Sequence, residues 1–100
     1  MRLGSTPIHT FTFPFSMEQI KELKITYAQD KRVVLEKHLK DCTIGEKSVS
    51  VKLSQSDTFL FAEGINVEIQ VRALTMADDA LVSGIRVVTA ERCLDREVLR

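Results

Sequence analysis

Between Asn66 and Leu74 the chain alternates without a break. Val67, Ile69, Val71 and Ala73 are apolar, and Asn66, Glu68, Gln70 and Arg72 between them are polar. Successive side chains of an extended chain point to opposite faces, so this stretch has one dry face and one wet face, as a half-buried strand does. It needs a core over its dry face, and the remaining segments supply strands to build one.

From His9 to Phe15, three phenylalanines (Phe11, Phe13, Phe15) alternate with Thr10, Thr12 and Pro14. This predicts a strand with an aromatic face, placed at an edge or end because Pro14 has no N–H to donate. Ser16 and Gln19 have capping-box spacing and predict one short turn. Leu23 to Tyr27 alternates and is rich in β-branched and aromatic residues, Gln29-Asp30-Lys31 reads as a turn, and Arg32 to His38 returns. Residues 20–38 therefore read as a hairpin. Asp41 to Lys47 is a polar loop around Gly45, and Val49, Val51 and Leu53 mark another strand. Residues 53–61 lose the alternation and predict a one-turn helical crossover between sheets. Met76 to Asp79 closes a hairpin onto a last strand, Leu81 to Thr89. Val82 can share a face with Ile85 and Val87 only if one residue is extra, which predicts a bulge or bend at Ser83-Gly84. Cys93 to Leu99 is a short tail or an added edge strand. Residues 1–7 read as a flexible leader and residues 8–100 as a single domain. The fold class is all-β: an immunoglobulin-like antiparallel β-sandwich of about six to seven short strands with one short helical turn.

One hundred residues suffice for one modest core. Fourteen basic residues balance fourteen acidic ones, which lacks the basic surplus of a nucleic-acid binder. A net charge of zero offers little colloidal repulsion and suits a protein that works in an assembly. No apolar segment follows Arg2 and no apolar run reaches membrane-spanning length, so neither signal peptide nor membrane partner is expected. The expected location is a cytoplasm, unless the protein is carried out with a larger particle. Cys42 and Cys93 are then expected as free thiols.

Asp57-Thr58-Phe59-Leu60-Phe61 resembles the Asp-Thr-x-x-Tyr corner of immunoglobulin-type domains, with Phe61 in place of the tyrosine. A wider resemblance spans residues 8–95 and rests on Ile25 to Gln29, Val33 to Lys37, Leu53 to Thr58 and Val67 to Arg72. These blocks look like small proteins encoded in prophage structural-gene regions of Gram-positive bacteria. The resemblance implies a fold and a role in a virion, and no catalytic residues.

His9, His38, Cys42 and Cys93 lack the paired spacing of zinc ligands, so no metal is expected. His38, Asp41 and Cys42 hold the residue types of a cysteine nucleophile but read as a hairpin exit. Asp78 and Asp79, with Asp95, are acidic enough for calcium, yet adjacent aspartates in a turn are turn formers. Glu36 and Glu68 read as members of a solvated cross-strand ladder. Two sets remain as candidate contact residues: Phe11 and Phe13 on an edge strand, and Glu68, Gln70 and Arg72 on the wet face, with Arg72 as anchor. The expectation is a non-enzymatic structural or assembly component of a phage or prophage (tail, neck or capsid-associated), with no cofactor. Its partners are copies of itself or other phage structural proteins. The alternative is a ligand-binding, carbohydrate-binding or adhesin-like module.

Overall fold

A computed structural model describes residues 1–100. Eight strands form two antiparallel sheets: β1 (Ile8–Thr12), β2 (Ile20–Gln29), β3 (Arg32–His38), β4 (Thr43–Ile44), β5 (Ser48–Lys52), β6 (Asn66–Thr75), β7 (Ala80–Val82) and β8 (Arg86–Thr89). One sheet has the order β1-β5-β4; in the other, of five strands, β3-β2-β6 continues to β7 and β8, which both pair with β6. The protein is an all-β sandwich. An immunoglobulin constant domain keeps its second strand between the first and fifth. Here β2 lies instead between β3 and β6, in the opposite sheet.

The dry face of β6 is dry as its alternation predicts: Val67, Ile69, Val71 and Ala73 are all buried. β2 pairs with β6 from Ile20↔Thr75 to Ala28↔Glu68, and this register sets Leu23, Ile25 and Tyr27 on the same inner face. Val49 and Val51 of β5 cover them from the other sheet. The β2–β3 hairpin turns through Asp30 (φ 49°) and Lys31 (φ 64°), the two-residue left-handed turn whose twist matches the flanking strands.

The crossover between sheets is helix α1 (Gln55–Thr58). Ser54 caps it reciprocally: the Asp57 N–H donates to Ser54 Oγ at 3.0 Å, and the Ser54 N–H donates to Asp57 Oδ2 at 2.9 Å. Lys37 of β3 reaches Asp57 at 3.0 Å and ties the crossover to the larger sheet. Burial acts to raise the Asp57 pKa, but the Ser54 N–H and Lys37 outweigh it and hold the carboxyl below its ordinary value. Residues 16–19 are a single 3₁₀ turn (Met17–Gln19), the short turn expected there, but the cap differs from the Ser16–Gln19 box: Ser16 Oγ accepts the Glu18 N–H at 3.2 Å and Gln19 does not reciprocate.

The irregularity at Ser83-Gly84 is a bulge. Between the pairs Arg72↔Val82 and Ile69↔Arg86, three steps along β6 face four along the other strand. Ser83 Oγ fills the gap in the ladder, accepting the Val71 N–H at 2.9 Å.

Four segments differ from the sequence expectations. The leader is not loose: Leu3 is 1 % exposed and belongs to the core. Its N–H donates to Glu91 O, and Gly4 N–H donates to Thr58 Oγ1 at 2.9 Å. Gly4 sits at φ +83°, and a Cβ there would meet the Phe59 ring at 2.7 Å, so the glycine permits close docking rather than marking flexibility. The loop at 41–47 contains the two-residue strand β4, paired with β5. The first strand ends at Thr12 rather than Phe15, before the proline. The tail adds no strand; it crosses back over α1, where Gln55 and the Leu99 backbone exchange two hydrogen bonds of 2.9 Å.

Leu3→Ala is expected to cost about 2–4 kcal/mol, since it empties a core site. Leu94→Ala, at a residue 86 % exposed, is expected to change stability by less than ~0.5 kcal/mol. Urea unfolding of the two variants checks both; equal small effects would restore the picture of a loose leader.

Candidate functional site

Strand register determines which polar residues meet on the outer face of the larger sheet. Arg72 stands between Val82 of β7 and Lys24 of β2, and Lys24 stands between Arg72 and His38 of β3. Gln70, Thr26 and Glu36 form the next row, and Val87, Glu68 and Ala28 the row after it. Three nitrogenous side chains in one row repel when charged, and Glu36 offsets the middle one by bonding Lys24 at 3.3 Å. Glu68 and Arg72 have no ion-pair partner within the chain. Gln70 donates to Ser83 O at 2.9 Å, which fixes its side chain across the bulge. Beside this face the edge exposes apolar surface: Val82, Ile85 and Val87 are each more than half exposed.

A shallow depression of about 690 Å³ crosses the basic end of the face, lined by Lys21, Lys24, His38, Lys40 and Arg72 with Glu22. A second cleft, about 370 Å³, opens on the inner side of the same β7–β8 edge. Phe11, Phe13, Phe15 and Leu81 line it. Arg86 bridges its rim, with its guanidinium 4.7 Å from the Phe11 ring centroid and one N–H donated to Thr10 O at 3.2 Å.

The two predicted sets thus lie on opposite sides of one edge. Phe11 and Phe13 border the cleft behind β7 and β8, half-buried against the core. Glu68, Gln70 and Arg72 line the face in front. They do not touch each other as a single site.

The other candidate groups are tied into structure. The Asp41 carboxylate accepts the His38 N–H at 2.9 Å and Cys42 Sγ donates to His38 O at 3.3 Å, so this trio closes a turn. Burial, then Asp41, pushes the Cys42 thiol up, away from the thiolate that a nucleophile needs. Asp78 sits at φ 62° in its hairpin turn and pairs with Lys21 at 3.6 Å.

One polar pair has no signal in sequence spacing. Tyr27 is fully buried on β2, and its hydroxyl lies 2.7 Å from His9 Nδ1 on β1 in the opposite sheet. Burial pushes the Tyr27 pKa up, so the phenol keeps its proton, and the hydroxyl and Nδ1 share one hydrogen bond whose direction follows the imidazole tautomer. Burial, then Arg86 and the amino terminus, depress the His9 pKa.

No helix is long and apolar enough to cross a membrane. No protein-family model matches the chain, and no curated protein matches it.

The His9 shift carries a sign. An imidazole with a folded pKa below its ordinary value of 6.5 takes up protons more readily when unfolded. Stability is therefore full above that value and falls as the pH drops below it toward the folded pKa. The urea midpoint is expected to decline between pH 7.5 and 5.5, and His9→Gln to flatten that decline while lowering the midpoint at neutral pH. An unchanged slope in the variant would remove His9 as its source.

Proposed function

We propose that the protein is a non-enzymatic structural or assembly component of a phage or prophage particle, tail, neck or capsid-associated, that works through protein–protein contacts. The observation that carries this reading is the β6–β7–β8 patch. Unpaired Glu68 and Arg72 flank a fixed Gln70, and apolar Val82, Ile85 and Val87 stand exposed alongside. Protein interfaces combine apolar centres with polar rims and arginine anchors, and this patch holds both kinds of residue side by side. The likeness of the strand blocks to prophage structural-region proteins supplies the biological setting. In this reading the sandwich is a rigid block: its core fixes the register, and the register fixes the contact residues.

A second reading has its own observation. The cleft lined by Phe11, Phe13 and Phe15 is concave and aromatic, with Arg86 at its mouth, and would suit a ligand-binding module.

Light scattering during size exclusion, run from dilute to concentrated protein, separates the two readings. A discrete or concentration-dependent assembly is expected. A strict monomer across the range would move the weight to the cleft and to ligand screening.

A further inference from the structure

The charges along the wet face of β6 are self-complementary. Glu68 and Arg72 lie two residues either side of Gln70, giving the order negative, neutral, positive along one strand. Turn a second copy of this face over it, about a two-fold axis lying in the interface across the strands at Gln70. Each strand then lies antiparallel over its own copy. Arg72 comes over Glu68 of the other copy, and Gln70 over Gln70.

The neighbouring strands obey the same operation. Val82 stands beside Arg72 and Val87 beside Glu68, so the two exposed valines exchange places and apolar surface meets apolar surface. On the other side Lys24 comes over Ala28, which is small enough to admit it. The row of the axis brings Thr26 over Thr26 and Glu36 over Glu36. That last repeat of like charge lies at the rim, where each Glu36 is already bonded to its own Lys24. The alternative two-fold, running along β6, would keep the rows aligned and bring Arg72 over Arg72, Glu68 over Glu68 and Lys24 over Val82, which disfavours it.

We infer that the outer face of the five-stranded sheet docks on a second copy of itself, face to face and antiparallel, through reciprocal Arg72–Glu68 pairs around Gln70. This deepens the assembly reading and rests on it. An isologous contact of this kind closes at two subunits. The area is modest. Asn66 to Leu74 spans ~30 Å of strand, and four strand positions span ~19 Å. That gives roughly 600 Å² per copy, at the lower limit for specific interfaces, so the dimer is expected to exchange and to depend on concentration.

Charge exchange tests the contact. Glu68→Arg and Arg72→Glu each set like charges together twice in the dimer, and each is expected to weaken dimerisation by at least ~10-fold. The double variant Glu68→Arg/Arg72→Glu reverses the order while keeping its symmetry, and is expected to recover to within about threefold of the starting protein. Sedimentation equilibrium of all four proteins reads the affinities, and urea midpoints check that substitution at half-buried Glu68 and exposed Arg72 leaves the fold intact. Weakened single variants with no recovery in the double variant would overturn the pairing. Undiminished association in both single variants would overturn this docking mode while leaving the assembly reading standing. A starting protein that is monomeric at every concentration would overturn both.

Discussion

The register of β2 against β6 is the constraint on which the rest of the structure depends. Side chains alternate faces, so a slip of one residue would exchange the core set for the solvent set along the whole strand. Held in one register from Glu22↔Leu74 to Ala28↔Glu68, the pairing buries Ile25, Tyr27, Ile69 and Val71 together. The same pairing decides that Lys24, rather than a neighbour, stands beside Arg72. Core and contact surface are thus two sides of one register.

The second tie is polar. A hydroxyl buried without a partner costs on the order of a few kcal/mol, and Tyr27 avoids that cost by bonding His9 across the gap between the sheets. Phe61, at the end of the crossover, packs against the Tyr27 ring at 6.0 Å. The hydroxyl that joins the two sheets stands on β2, and the polar groups of the crossover, Asp57 and Thr58, are used in its cap and in holding Gly4.

What was legible in the sequence had a period. The alternation at Asn66 to Leu74, the hairpin over residues 20–38 and the extra residue at Ser83-Gly84 all reappear in the structure, because period and register are local properties of a strand. The short turn at Ser16 was readable too, although its cap runs to the Glu18 N–H rather than to Gln19. The docked leader was not legible, because Gly4-Ser5-Thr6-Pro7 has the composition of a turn and nothing nearby shows that Leu3 meets Glu91 and Gly4 meets Thr58. The Tyr27–His9 bond spans eighteen residues and two sheets, beyond the reach of spacing. Of the candidate contacts, Glu68, Gln70 and Arg72 were readable as a face, but their neighbours Val82 and Val87 depended on how the bulge was placed.

The bulge also limits what the exposed edge can do. Ser83-Gly84 breaks the outer rim of the larger sheet into a three-residue piece and a four-residue piece offset by one position. A foreign strand adding there would lose register after a few hydrogen bonds, since its own ladder has no matching kink. The valines can therefore stay uncovered without templating open-ended strand addition, the usual hazard of an apolar rim. At this rim that leaves finite, side-chain-specified association as the accessible route.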